Sequence, residues 1–278
     1  MGDFDVDTAV TGGDGTYRAE LSRDWEIWGP NGGYVAAIAL RAAGAASRFR
    51  RPASIAASFL AVGEFAPVDL TVEVLRSTRV ADALRVSMVQ GDRRILEAMV
   101  WTIDDIDGLA HDHTESPVVP PPDDLKTVDQ LLEEFPNARR APFPFWDNIE
   151  QRPLHWIGDW ENREPGEPVF RGWMKFRPRA MFDDPYVDAA RSLLLLDTMG
   201  WPAAVRAHRE PIGYVAPNID LSVQFHRLEP SSEFLFAEAI ADVAADGLIG
   251  ARNRVWSETG ALLASGTEQL LCRPVRDA

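Results

Sequence analysis

The hydrophobic pattern changes period several times along the chain, and its first clear run is helical. From Tyr34 to Ala46 only Arg41 is charged; Tyr34, Ile38 and Ala42 fall on one face, with Val35 and Ala39 beside them. A helix that is apolar nearly all round is a buried one. Trp28-Gly29-Pro30-Asn31-Gly32-Gly33 reads as the loop feeding its N-terminus, and Arg50-Arg51-Pro52 closes it. Ahead of it, residues 4–22 predict a short strand, a Gly-Gly-Asp-Gly turn and a second strand. Behind it, strands are predicted over roughly 54–61, 68–79, 83–90 and 94–103, with Gly91-Asp92 turning the last hairpin. Leu70, Val72 and Val74 alternate cleanly with Thr71, Glu73 and Leu75. One buried helix followed by antiparallel strands is an α+β pattern, a curved sheet around a central helix.

Residues 104–148 lose this periodicity and carry Val119-Pro120-Pro121-Pro122 and Ala141-Pro142-Phe143-Pro144-Phe145-Trp146, the composition of a linker, with a short helix over 129–135. Beyond it the plan recurs. Strands are predicted over 149–157 and 169–177. A helix runs from Pro185 through Leu193–Leu196, Asp197 and Met199 to about Gly200-Trp201-Pro202. Four more strands follow, over 218–227, 234–243, 247–256 and 262–273. Local matches keep the same order in both halves: Val80-Ala81-Asp82-Ala83-Leu84 answers Val243-Ala244-Ala245-Asp246-Gly247-Leu248, and Ile95-Leu96-Glu97-Ala98 answers Leu262-Leu263-Ala264-Ser265. The chain therefore divides into 1–103, a linker over 104–148, and 149–278, two copies of one helix-plus-sheet unit.

Composition narrows the functional classes. With 278 residues and 46% apolar content, each half can bury a core. A formal net charge of -15 argues against nucleic-acid binding, because phosphates are repelled. The single cysteine, Cys272, excludes an internal disulfide, fits a reducing compartment and reads as a small buried hydrophobe. The acidic start, Met1-Gly2-Asp3-Phe4-Asp5, lacks the regions of a signal peptide, and no run reaches membrane-spanning length, so a cytoplasmic protein without a membrane partner is expected. The sequence contains no G-x-S-x-G, G-x-x-x-x-G-K-[ST], H-E-x-x-H or paired C-x-x-C, and neither a metal nor a cofactor is expected. His111 and His113 lie in the polar linker and read as solvent-exposed, and His226 as a strand-end residue. Trp25, Trp28, Trp156, Trp160 and Trp173 read as core and edge residues rather than a ligand cage.

The run Ile219-Asp220-Leu221-Ser222-Val223-Gln224-Phe225-His226-Arg227, together with Leu263-Ala264-Ser265 through Arg273 and Asn31-Gly32-Gly33, resembles the acyl-CoA thioesterase II family. The resemblance implies a double hotdog, two antiparallel sheets each wrapped around a central helix. It also implies hydrolysis of acyl-CoA to fatty acid and CoA by water. In that family an Asp on the second helix, a Thr or Ser on the following strand and a Gln on the last strand orient the water. Carried over one by one, the Asp matches Asp197, the hydroxyl position falls on Asn218, and the Gln position falls on Glu268, with Gln269 next to it.

Two of these three depart from the pattern. A carboxylate at Glu268 near Asp197 sets like charges together and raises one pKa; the pair then serves as base and acid, or marks a site that has lost the usual chemistry. Strand alternation puts Asn218, Asp220 and Ser222 on one face, which makes Ser222 a candidate for the missing hydroxyl. Gly32 and Gly33, at a helix start, are candidate oxyanion donors, although tight packing explains two glycines equally well. Arg48, Arg50, Arg51, Arg76 and Arg79 are candidates for the CoA phosphates, or simply surface charges. A non-hydrolytic acyl-thioester binding protein on the same scaffold is the second reading, motivated by Asn218 and Glu268. A hydratase or dehydratase ranks below it, since no His lies near the first helix. Hotdog units pair edge to edge, which a fused chain achieves internally; further homo-oligomer formation stays open.

Overall fold

In the computed structural model, which describes residues 1–275, Phe4–Asp7 forms a one-turn helix (α1) where a strand was predicted. The reason is local: the Asp3 carboxylate accepts from the N–H groups of Asp5 and Val6 and caps the turn. Phe4 then drops into the core against Trp25 and Phe176. A hairpin of β1 (Thr11–Gly13) and β2 (Thr16–Glu20) follows; the second strand is as predicted, whereas Gly12 and Gly13, read as turn, belong to β1 and the turn is Asp14-Gly15. The first buried helix, α2 (Gly32–Ala46), is capped by Asn31, whose Oδ1 accepts from the Tyr34 N–H at 2.9 Å. Its lone charge, Arg41, is matched by Asp5 at 3.1 Å.

Strands β3 (Arg51–Phe59), β4 (Pro67–Ser77), β5 (Ala81–Gln90) and β6 (Arg93–Ile103) complete the first half. Within the linker, Thr127 and Gln130 form a reciprocal capping box that starts α3 (Val128–Glu134). The second half runs β7 (Ile149–Pro153), β8 (Val169–Phe176), α4 (Pro185–Thr198), α5 (Gly200–Val205), β9 (Tyr214–Val215), β10 (Asn218–Phe225), β11 (Phe234–Ala245), β12 (Leu248–Ser257), β13 (Leu262–Leu271) and β14 (Arg273–Pro274). The small β9–β14 pair was not anticipated.

The strands make one twelve-stranded antiparallel sheet in the order β1-β2-β4-β5-β6-β3-β10-β13-β12-β11-β8-β7. Its first six strands come from one half and its last six from the other. The two predicted sheets are thus joined edge to edge where β3 meets β10, from Asp220 opposite Ser58 to Gln224 opposite Ser54. Pairing of this kind leaves neither central strand with an open edge. Each half curves around its own helix, and α2 and α4 lie side by side in antiparallel directions. Gly33 meets Leu194 at one end of the pair, and Gly44 meets the Tyr186 ring at the other. Every residue of α4 from Tyr186 to Thr198 is buried, including Arg191, which is held by Asp188 and by the main-chain oxygens of Ser232 and Glu229. No helix among the described residues is long and apolar enough to cross a membrane.

Candidate active site

Helix α4 stops at Thr198 and the chain restarts as α5 two residues later, leaving carbonyls at the α4 terminus without helical donors. Two asparagine amides supply the donors. Asn218 Nδ2 donates to the Asp197 carbonyl at 2.8 Å, and Asn253 Nδ2 donates to the Leu196 carbonyl at 2.6 Å. Both amides also reach Glu268, Asn253 its Oε1 at 2.7 Å and Asn218 its Oε2 at 2.5 Å. Asn218 Nδ2 further lies 2.8 Å from Asp197 Oδ1. One amide nitrogen therefore bridges the two carboxylates.

The other oxygen of Asp197 faces the opposite half of the chain. Gly33 donates its N–H to Asp197 Oδ2 at 2.6 Å, and Asn31 Nδ2 donates to the same oxygen at 3.3 Å. The positive end of α2 is thus aimed at this carboxylate. Burial raises its pKa to about 6, against the donors Asn218, Gly33 and Asn31. Glu268 is 2% exposed. Burial, reinforced by the Asp197 charge, raises its pKa well above the ordinary glutamate value.

Asp197, Asn218, Asn31 and Gly32 line one wall of a cavity of about 710 Å³, whereas Glu268 stands behind Asn218 and does not line it. The Gly32 N–H, first in α2, has no protein acceptor among the described residues; that of Gly33 is taken by Asp197. Of the two glycines read as oxyanion donors, only Gly32 is free to act. Gly33 instead provides the close helix contact: a Cβ there would stand 2.7 Å from Leu194 Cα.

Ser222 is not part of this group. The sheet register slips between Asn218 and Asp220, so one extra residue sits in β10 at that point. The slip turns Asn218 inward with Leu221 and leaves Ser222 exposed on the outer face, in a second groove with Ser54 and Thr267. On β13, Glu268 faces inward opposite Leu221, and Gln269 faces away.

The sequence leads one to expect a groove lined by Leu, Met and Trp side chains between the halves, and the rest of the cavity wall contains all three types, with phenylalanines added. Trp28 and Trp201 meet edge to face at 5.8 Å, Phe143 and Trp146 come from the linker, and Trp156 and Trp160 from the β7–β8 loop. Of the tryptophans read as core and edge residues, Trp25 and Trp173 are core, and Trp28, Trp156 and Trp160 line the cavity. The indole N–H groups of Trp156 and Trp160 are buried without a protein acceptor. The candidate phosphate-binding arginines are also misplaced. Arg50 and Arg51 pair with Asp104 and Asp105, at 3.2 and 2.9 Å, beyond the C-terminal end of α2, a helix of 15 residues and so about 22 Å long. The cavity lies at the opposite end of α2, and its lining arginines are Arg139, Arg140, Arg206 and Arg273. Arg206 and Arg273 have no carboxylate partner among the described residues, and burial lowers the Arg206 pKa. His111 and His113 are exposed, as predicted. No group of three or more metal-ligating side chains occurs among the described residues.

Comparison with known proteins agrees with this architecture. The chain matches the acyl-CoA thioesterase N-terminal domain over residues 21–103 and the acyl-CoA thioesterase C-terminal domain over residues 122–272. It belongs to the acyl-CoA thioesterase family. A search of the curated proteins finds no match. Among solved structures, a conserved hot dog-fold protein of unknown function from Alicyclobacillus acidocaldarius superposes with a TM-score of 0.81 at 21% identity, covering 98% of each chain. An acyl-CoA thioesterase II from Mycobacterium marinum gives 0.78 at 20% identity, over 98% of this chain and 99% of that one. A putative thioesterase II from Thermobifida fusca gives 0.74 at 20% identity, over 98% of each. At such identity these structures bear on the fold: a double hotdog.

Proposed function

We propose that this protein hydrolyses acyl-CoA thioesters to a fatty acid and CoA. The observation that carries the reading is Asp197, a carboxylate buried on a cavity wall with no cation beside it, held by Asn218 and by the Gly33 N–H and with the unused Gly32 N–H adjacent. Such an arrangement meets the needs of the reaction: a base, an oxyanion donor and a groove walled by aromatic side chains. Water bound against Asp197 attacks the thioester carbonyl and gives its proton to the carboxylate. The Gly32 N–H stabilises the oxyanion. Collapse breaks the C–S bond, and the departing sulfur takes the proton from Asp197, which restores the base. A pKa near 6 suits this role, since the carboxylate is ionised at neutral pH yet basic enough to receive a proton. The aromatic wall houses the acyl or pantetheine portion, and Arg206 and Arg273 offer positive charge to the CoA phosphates.

A CoA-release assay with a thiol reagent, run over a series of acyl chain lengths, tests the proposal. Asp197→Ala is expected to lower kcat/KM by about 10²–10⁴-fold, the range for loss of a general base. Acyl-CoA binding without CoA release by the native protein would instead support the non-hydrolytic reading.

A further inference from the structure

The site holds two carboxylates where the resembled pattern has one, and their surroundings differ in kind. Asn218 Nδ2 carries two protons but faces three oxygens: the Asp197 carbonyl at 2.8 Å, Asp197 Oδ1 at 2.8 Å and Glu268 Oε2 at 2.5 Å. A main-chain carbonyl only accepts, so the amide nitrogen is fixed on this side and one contact is left without an amide proton. Asn253 is fixed in the same way by the Leu196 carbonyl. Neither carboxylate has an ion-pair partner among the described residues. Two adjacent buried anions without a cation are strongly disfavoured, and one proton resolves the conflict.

Position decides which residue keeps it. Asp197 opens onto the cavity and receives the N-terminal end of α2 through Gly33. Glu268 has no cavity face; it accepts from the two amides that cap the C-terminal, negative end of α4 and from the Gly200 N–H, and burial with the neighbouring Asp197 charge outweighs these donors. The residues packed on it are Asp197 from α4, Gly200 from α5, Asn218 and Leu221 from β10, and Ala251 and Asn253 from β12. Of these only Asp197 titrates, and the nearby arginines of β12, Arg252 and Arg254, are exposed on its outer face. Gly200 is required for this closeness, because a Cβ there would stand 2.0 Å from Glu268 Oε1.

We infer that Glu268 is a positioning residue that works as a buried neutral acid, holding Asn218 against Asp197 while Asp197 remains the ionised carboxylate of the pair, and that ionisation of Glu268 switches the site off. The departure from Gln to Glu thereby keeps an uncharged group at this place and adds an alkaline limit. The functional half of this inference rests on the hydrolase reading; the protonation half does not.

The test compares the native protein with Glu268→Gln, which makes the uncharged state permanent. In kcat/KM–pH profiles the native enzyme is expected to show an alkaline limb, and the ratio of variant to native to rise with pH, whatever the absolute rate of the variant. Thermal unfolding supplies a readout independent of activity. A glutamate neutral when folded and ionised when unfolded loses stability as pH rises from the ordinary value of 4.5 through its raised folded value. The Tm difference, variant minus native, is therefore expected to widen with pH. Should the variant not fold, carboxyl ¹³C NMR of glutamate-labelled native protein is expected to show one glutamate still protonated at pH 7. A constant Tm difference, or no protonated glutamate, overturns the inference. Absence of CoA release with a widening Tm difference overturns the hydrolase reading alone.

Discussion

Gly33 and Asp197 are 164 positions apart, in different halves of the chain, and are joined by a 2.6 Å hydrogen bond from a backbone N–H to a carboxylate. The proposed base on one hotdog is held by the helix of the other, so both halves build the candidate site. Gly33→Ala sets a methyl 2.7 Å from the main-chain Leu194 Cα and 2.9 Å from Asp197 Cβ, where backbone must shift. A stability loss of roughly 1–3 kcal/mol is expected by urea unfolding. Gly32→Ala meets only the end of the Asp197 side chain, at 2.7 Å from Oδ1. Its expected signature is reversed: a smaller stability loss, with kcat/KM falling by about 10²-fold as the carboxylate is displaced.

The pKa of about 6 at Asp197 sets an acid limit for the proposed hydrolysis. Burial opposes its charge, so the carboxyl protonates at a higher pH than an ordinary aspartate. Only the ionised form accepts a proton from water. Activity is therefore present above the folded pKa and lost below it, with kcat/KM falling about tenfold per pH unit on the acid side. A pH–rate profile checks this; an acid limb near the ordinary aspartate value of 3.8 would remove Asp197 as the base.

Much of the fold was legible because its signals are local and repeated. An almost uncharged helix such as Gly32–Ala46 has few alternatives to burial, and the helix and strand order recurs after the linker. Asp197 stood out for a related reason, as a carboxylate closing a run of four leucines that is wholly buried. Ser222 and Asn218 show where such reading ends. Strand alternation assumes an unbroken period of two, and a single extra residue between Asn218 and Asp220 reverses it. The arginine assignments failed on geometry of longer range, and the same geometry decided which tryptophans are core and which line the groove. Sequence marks Trp156 and Trp160 as large and apolar, but only the packing of the β7–β8 loop and the linker decides that they face a cavity. The joining of β3 to β10 is likewise a relation between distant strands, with no local signature in either.

Arg206 is half-buried on the cavity wall with no carboxylate partner among the described residues, unlike Arg140, which is engaged by Asp129 at 3.3 Å and Asp147 at 3.0 Å. An unpaired guanidinium in that position is suited to a phosphate. Arg206→Gln is expected to raise KM for acyl-CoA roughly 10- to 100-fold, the cost of one hydrogen bond to a charged group, with little change in kcat. Thioesters of a short thiol without phosphates serve as the control. Their KM is expected to be unmoved, and an equal rise for both substrates would assign Arg206 to packing rather than to the nucleotide end.

Asn253 offers a way to separate support from chemistry. It is 2% exposed, is absent from the wall of the main cavity, and joins Glu268 Oε1 to the Leu196 carbonyl. Asn253→Ala leaves both acceptors buried without their donor, which is expected to cost roughly 1–3 kcal/mol of stability. The functional consequence follows from what remains. Glu268 loses one of its two amide clasps and Asn218 its backing, so the orientation of Asp197 relaxes while the aromatic wall and the arginines stay in place. The expected result is a fall in kcat with KM little changed, measured at a temperature well below the lowered Tm. A rise in KM with kcat preserved would show instead that the helix end and cavity wall had moved together, and that the amide pair supports substrate binding rather than the base.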